Sequence, residues 1–379
     1  NISNWNTLAV TDVAEMFDAY DVEAPSSFNQ PLTTTDGGWN TSNMTDMGNM
    51  FRKAWAFTGD GLSTWDTSSA QRMNAMFRDA SSFNADLSGW DTADVTVMGY
   101  MFGGATQFNA DLGDWDTGSV TELANMFRGA TAFNADISGW DTSSATDMDH
   151  MFDGASTFNQ DLGQWNIGAL HSDGEQHFGA ENMLNGTALS TANFDSLLVG
   201  WAGQATVPSG ITLGAGATTY SAGAPTTAHG VLTDTHGWSI SDGGQSAVPG
   251  APTNVAGTGA NNRITATWDP AAAPSGSPVT SYTATVSPGG QNCTTPDGST
   301  LTCAITGLTN GATYTITVAA INVGGPGLNS DASAPVVANA ELPVNTATPA
   351  VSGTTTVGQQ LSSTTGSWDS DPTATYAYE

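Results

Sequence analysis

Hydrophobic residues in the first 170 positions recur as one pattern rather than as isolated runs. In "DTADVTVMGYMFGGATQFNADLGDW", residues 91 to 115, Val95, Met98, Met101, Phe102 and Ala105 stand at i, i+3, i+6, i+7 and i+10. That spacing predicts one apolar face of a short helix, of about three turns or fewer. Asp91, Thr92 and Asp94 are its candidate N-caps, and Gly103 and Gly104 can end it. Phe108, Leu112 and Trp115 then punctuate an extended stretch whose apolar side chains turn inward.

The same pattern returns along the chain. Met-Phe pairs begin at Met16, Met50, Met76, Met101, Met126 and Met151, in steps of 34, 26, 25, 25 and 25 residues. Trp5, Trp39, Trp65, Trp90, Trp115, Trp140 and Trp165 keep the same beat. Extra residues in the first full repeat, within "DAYDVEAPSS" and "PLTTTDGG", read as surface loops. A fixed period this short predicts a solenoid, whose units bury their apolar faces only by stacking on neighbours. One short helix and one extended segment per unit make it an α/β solenoid in the manner of leucine-rich repeats, over residues 1–170.

The pattern changes after residue 170. In "ANFDSLLVGWA", Phe194, Leu197, Leu198 and Trp201 keep helical spacing, and "GITLGAGATTY" and "GWSISDGG" read as glycine-bounded strands. Residues 171–246 are expected to close the open end of the last coil. "SDGGQSAVPGAPT" is a linker by composition. Within 250–338, "RITATWDP", "SYTATVSP", "TCAIT" and "TYTITVAAI" alternate apolar and polar residues between turns, which predicts an all-β sandwich.

The unit "MFxxAxxFNxDLxxWDTxxVTxM" resembles the repeat of BspA-like bacterial surface proteins, relatives of leucine-rich repeats. The following stretch to about residue 245 resembles the closing segment of the same family. Pro252, Trp268, Tyr282, Leu308 and Tyr314 carry a resemblance to a fibronectin type III domain, Leu308 and Tyr314 at the spacing of its tyrosine corner. No Arg-Gly-Asp loop accompanies them, so integrin binding is not implied. Residues 343–379 resemble the start of an immunoglobulin-like repeat. The resemblances imply a multidomain chain, a leucine-rich-repeat-like α/β solenoid followed by all-β immunoglobulin-like sandwiches. They also imply export, a cell-surface location and a role in adhesion.

Charge narrows the partners. The chain has 36 acidic and 6 basic residues, a net charge of −30. So few cations cannot neutralise phosphates, which excludes nucleic acid and anionic membranes as partners. The acidity suits a marine or halophilic prokaryote, because salt screens its self-repulsion. No apolar run approaches the ~20 residues needed to span a bilayer, so no membrane insertion is expected. The opening "NISNWNTLAV" is not a signal peptide and reads as the interior of a longer chain. Cys293 and Cys303, ten residues apart in a Thr/Gly-rich segment, suit one hairpin-clamping disulfide in an oxidising compartment; free thiols are the alternative.

Four ladders emerge from the repeat. Asp86, Asp111, Asp136 and Asp161 share one position; Asp66, Asp91, Asp116 and Asp141 share another, closed by Asn166. Coils ~4.8 Å apart stack these like charges closely. Either backbone N–H groups hold each carboxylate, or calcium bridges neighbouring coils through Asp86, Asp111, Asp136 and Asp161. Calcium is the one cofactor candidate, although no D-x-[DN]-x-[DN]-G loop is present. Asn84, Asn109, Asn134 and Asn159 predict a structural amide ladder. Trp90, Trp115, Trp140 and Trp165, with the Phe ladder, are read as core, with sugar stacking as the alternative for exposed rings.

Catalysis finds little support. Glycoside hydrolysis needs a unique carboxylate pair with one raised pKa, not a ladder of equivalent pairs. His150, His171, His177, His229 and His236 form no metal spacing, and no phosphate loop or dinucleotide fingerprint occurs. The expected protein is a non-enzymatic, adhesin-like extracellular protein whose partners are a protein or glycan on another cell or matrix, or copies of itself. A structural subunit of a filament or surface layer, and the accessory region of a larger secreted hydrolase, are the alternatives.

Overall fold

The computed structural model describes residues 5–19, 26–34, 39–173, 179–339, 344–348, 350–364 and 367–369. Two compact units divide the chain, Asn1–Ser246 and Ala247–Glu379. The fold is mostly β in its hydrogen bonding, with few helices.

The first unit is a stack of coils. Successive coils are joined by parallel bridges through Asp12, Asp46, Arg72, Val97, Glu122 and Asp147. Within one coil, the N–H groups of Met73, Ala75, Phe77 and Asp79 donate to Val97, Gly99, Met101 and Gly103 of the next, at 2.7–3.0 Å. The intervening N–H groups of Met76, Arg78 and Ala80 close instead on the carbonyls three residues back. The N–H groups that an α-helix would turn back on its own fourth carbonyl are thus committed to the next coil or to tight turns.

The expected helix is therefore absent. Among the described residues of 5–173 the only helical element is a 3-10 turn at Leu62–Thr64. The reason lies in the backbone. Asn49 and Lys53, Ala75 and Asp79, Tyr100 and Gly104, Asn125 and Gly129, and His150 and Gly154 all have φ between 52° and 76°. Two left-handed residues, four apart, interrupt each coil, and an α-helix cannot propagate through them. The i→i−3 turns between them still carry Met98, Met101, Phe102 and Ala105 inward, so the helical spacing of apolar side chains survives without the helix. The roles of the two segments are also reversed. The Met-Phe segment carries the inter-coil backbone ladder, whereas the Phe108–Trp115 stretch makes no backbone–backbone bond to a neighbouring coil.

The ladder continues past residue 173 as true strands. β1 (Gly179–Ala180), β2 (Thr212–Gly214) and β3 (Ser239–Ser241) form a parallel sheet in that order. Met148 N–H donates to Gly179, which joins this sheet to the coils. The described residues from Gly179 to Ser241 thus continue the parallel ladder of the coils. Helix α1 (Thr191–Ala202) starts at Ser190, whose hydroxyl accepts from Asn193 N–H, and buries Phe194, Leu197, Leu198 and Trp201. Helix α2 (Ala224–Gly230) follows, continued by a π-helical turn at Val231–Thr235.

The second unit holds a sandwich. β4 (Thr253–Ala260), β5 (Arg263–Asp269) and β8 (Thr302–Thr306) form one sheet. β6 (Ser281–Ser287), β7 (Asn292–Thr294), β9 (Thr313–Asn322) and β10 (Gly325–Pro326) form the other, in the order β10-β9-β6-β7, and β11 (Val336–Val337) also pairs with β9. Alternate residues fill the space between: Ile264, Ala266 and Trp268 from β5, Tyr282, Ala284 and Val286 from β6, and Tyr314, Ile316, Val318 and Ala320 from β9. The Tyr314 hydroxyl accepts from Thr309 N–H at 3.0 Å, closing the corner into β9. Cys293 and Cys303 are joined, with Cα atoms 6.1 Å apart. They do not clamp a hairpin, because β7 and β8 are edge strands of different sheets; the bond staples one sheet to the other.

Beyond it, β12 (Val344–Ala347) pairs with β15 (Ser367–Asp369), and β13 (Val351–Ser352) with β14 (Ser362–Ser363). Most of the remaining expected immunoglobulin-like segment lies outside the described residues.

Candidate functional site

Both aspartate columns serve the chain's own turns. Asp86, Asp111, Asp136 and Asp161 each accept, through Oδ1, the N–H two residues on, at 2.8–3.0 Å. Asp66, Asp91, Asp116 and Asp141 do the same at 2.9–3.1 Å, and Asn166 follows at 2.9 Å. These are Asx turns. Asp91, expected to cap a helix, caps such a turn at Ala93 instead. Serine hydroxyls add a second donor at Asp66 and Asp86, each at 2.7 Å. The Ser68 hydroxyl and then its N–H hold Asp66 below the ordinary carboxylate range. For Asp86 the Ser88 N–H leads and its hydroxyl follows. Ser138 and Ser143, hydroxyl first, lower Asp136 and Asp141. Hydrogen bonds to the charged form thus favour ionisation, the opposite of what a general acid needs.

The amide, tryptophan and threonine columns tie coil to coil. The Oδ1 atoms of Asn84, Asn109 and Asn134 accept the N–H of Asn109, Asn134 and Asn159 at 2.7–2.8 Å. Asn159 passes the ladder to Ser190 at the start of α1. The Nε1–H groups of Trp90, Trp115, Trp140 and Trp165 donate to Leu62, Leu87, Leu112 and Ile137 of the preceding coil, at 2.9–3.1 Å. Their rings stack at centroid distances of 6.1–6.4 Å. Trp90, Trp115 and Trp140 are 4% exposed and Trp165 is fully buried, so these rings offer no face to a sugar. A threonine column was not singled out from the sequence. Buried Thr67, Thr92, Thr117 and Thr142 donate their hydroxyls to Asp91, Asp116, Asp141 and Asn166 of the next coil. Its signal was visible in the recurring "WDT", where the Asp drew attention from the Thr beside it.

Charge is segregated around each coil. Five of the six basic residues, Arg52, Lys53, Arg72, Arg78 and Arg128, lie in the Met-Phe segments, and the aspartate columns have no cation among them. Arg52 pairs with Asp18, Arg72 with Asp46, and Arg128 with Asp153. Asp153 also faces His150 Nδ1 at 3.2 Å. The Arg78 guanidinium lies over the Tyr100 ring, 4.6 Å from its centroid. In the last coils His229 Nε2 lies 3.3 Å from Asp242 Oδ2, close enough for an ion pair but without hydrogen-bond geometry. His177 falls outside the described residues.

Two hollows accompany these columns. A cleft of 580 Å³ beside the end of α1 is lined by residues that include Ser143, Gln164, Asn166, Gln204 and Thr206, and by no titratable side chain. A smaller one, of 290 Å³, gathers Glu122, Asp147 and His171 under Thr121 and Thr146. Among the described residues no three His, Cys, Asp or Glu side chains are grouped to hold a metal ion. No described helix is long and apolar enough to cross a membrane.

The family described as "Mycoplasma protein of unknown function, DUF285" matches residues 1–60, 34–117 and 86–190, which together span half of the chain. The chain belongs to the DUF285 family. In this DUF285 protein a fibronectin type III domain also matches, over residues 250–336. Similar solved structures include the FN5 domain of Drosophila Lar, 27% identical over 25% of this chain and 100% of that one, with a TM-score of 0.20. A Fn3-like protein from Clostridium thermocellum is 24% identical over 24% of this chain and 93% of its own, with a TM-score of 0.19. Titin kinase with its flanking domains is 21% identical over 24% of this chain, with a TM-score of 0.22; the chain spans 18% of that structure's length. No curated protein matches. The DUF285 repeats and the fibronectin type III domain together fit an extracellular, surface-type protein.

Proposed function

We propose that this DUF285 chain is a non-enzymatic extracellular protein, adhesin-like, whose coils form an open solenoid displaying repeated side-chain columns to a partner. The sandwich at residues 250–336 serves as a spacer, and residues 343–379 begin a further immunoglobulin-like module. The observation that carries this reading is how the carboxylates are used. The column aspartates accept hydrogen bonds from their own turns, coil after coil. No one coil is distinguished as a reaction centre. What the stack offers instead is area, since each coil adds the same exposed positions next to the last.

Two measurements test it. Protease added to intact cells is expected to cleave the chain, and the purified chain is expected to bind saturably to cells or matrix. A chain protected inside the cell, or one with no saturable binding, ends the reading.

A further inference from the structure

One stripe of the stack carries no charge. Residues 54–59, 80–85, 105–110, 130–135 and 155–160 read AWAFTG, ASSFNA, ATQFNA, ATAFNA and ASTFNQ, without an acid or a base in five successive coils. On a chain of net charge −30 this is a departure from the rest of the repeat. The Ala and Phe positions that open and centre each segment are buried, and the rest are at least partly exposed except Gly59.

Two features of the stripe are not needed to hold the fold. The first is a row of free donors. Each Asn of the ladder accepts a backbone N–H, which fixes its oxygen toward the next coil and leaves the amide NH₂ on the other side. The Nδ2 groups of Asn84, Asn109 and Asn134 have no hydrogen-bond partner among the described residues. The second is Trp55, which stands outside the tryptophan beat and is 43% exposed. By register it heads the row continued by Ser81, Thr106, Thr131 and Ser156; Lys53, Asp79, Gly104 and Gly129, two residues before Trp55, Ser81, Thr106 and Thr131, each donate an N–H to the next coil in the same way. Thr106 and Thr131 hydroxyls bond to the carbonyls of the preceding coil, which keeps this row in line.

We propose that this stripe binds a neutral polysaccharide laid across the coils, with Trp55 as the stacking platform and the Asn amides as donors. The proposal rests on the solenoid being a binding surface. A pyranose offers an apolar C–H face to an indole and hydroxyl and ring oxygens to an amide. One amide per coil matches a repeating ligand, because a hexose unit in an extended chain is about as long as the ~4.8 Å between stacked strands. Charge decides the ligand class. Asp86, Asp111, Asp136 and Asp161 run along one side of the stripe, so an anionic polysaccharide is repelled. A second copy would bring its own aspartate columns against these, which disfavours self-pairing by the same argument. A neutral polyol meets neither penalty, and the free carboxylate oxygens accept from its hydroxyls.

The test is affinity electrophoresis and calorimetry of the whole chain against dextran, laminarin, galactomannan and soluble cellulose ether, with alginate as the anionic control. At least one neutral polymer is expected to bind. Trp55→Ala, and the pair Asn109→Asp with Asn134→Asp, are each expected to weaken it roughly tenfold or more. Aspartate keeps the acceptor that the ladder needs, so the melting point should hold. No binding by any neutral polymer, preference for alginate, or binding unchanged by the variants overturns the proposal. Concentration-dependent self-association that the same variants abolish overturns it in favour of a second copy. If the variants lose no polysaccharide binding but the chain still binds cells, this stripe is wrong and the wider functional reading stands.

Discussion

The coil stack and the sandwich both bury a row of aromatic and aliphatic side chains, but they organise the row differently. In the sandwich the buried residues alternate along long antiparallel strands, and β6 pairs with β9 across some thirty intervening residues. In the stack, each aromatic core column runs from one coil to its counterpart in the next. Phe77, Phe102, Phe127 and Phe152 stack at 5.6–5.7 Å, and Phe83, Phe108, Phe133 and Phe158 form a second column at 5.7–6.0 Å. The backbone differs in the same way. The long paired strands β5, β6 and β9 of the sandwich contain no left-handed residue, whereas each coil alternates cross-coil bonds with tight turns that depend on left-handed residues. A stack of equivalents has no long-range topology to specify, only a repeat that must fit itself. A sandwich must bring distant strands together, and here a disulfide assists.

That contrast can be broken from either side. The largest effect is expected from Phe102→Ala, because its ring is fully buried and touches Phe77, Phe108 and Phe127. A loss of about 3–5 kcal/mol is expected for the first unit, read by calorimetry as a lowered transition for the coils with the sandwich transition unmoved. Reducing Cys293–Cys303 should do the reverse, at about 2–3 kcal/mol. Should reduction destabilise the coils instead, the two units are not energetically separate.

Smaller changes probe the turns. Gly129 has φ 69° with room around its Cα, so Gly129→Ala isolates the backbone cost and should destabilise the coils by about 1 kcal/mol. Stabilisation by the same change would show that Gly129 is not held in the left-handed region.

The smallest effect is expected with pH and chelator. Asp66, Asp86, Asp136 and Asp141 are held below their ordinary value of 3.8 when folded. A depressed folded pKa adds stability above the unfolded value and loses it as pH falls through the folded one. The coils' melting point should therefore be flat near neutrality and decline only below about pH 4. In the second unit Asp297 is lowered to about 2 by Ser299, hydroxyl then N–H, and by Thr300; its NMR titration should rise in Ser299→Ala. EDTA should leave the coils' melting point unchanged, since each column aspartate already has its own N–H partner; a drop would show that calcium bridges them.

Much of the core was legible in the sequence. Phe83, Trp90 and the Met-Phe pairs from Met50 onward are buried, as their spacing requires once the repeat is stacked; the first pair, Met16 and Phe17, is not fully covered. The sandwich strands were legible too, from their strict alternation. What misled was the period of Val95, Met98, Met101 and Phe102. Consecutive i→i−3 turns present side chains at nearly the same advance as a helix, so periodicity cannot tell them apart. Tyr100 and His150 at left-handed positions gave no warning, since non-glycine residues are uncommon there. The spacing of Cys293 and Cys303 suits a bond between them but not its placement, because which sheet each edge strand joins is not written in that spacing.

The sequence by itself determined the repeat, its period, most of the residues that face inward and the alternation of the sandwich strands, because hydrophobic burial depends on side-chain identity and order. Only the tertiary structure decided where each backbone N–H goes. Met73, Ala75, Phe77 and Asp79 give theirs to the next coil rather than to their own turn. That choice exists only when a neighbouring coil stands within reach; with it the helix is lost, and the aspartates cap turns and the asparagine oxygens tie coil to coil.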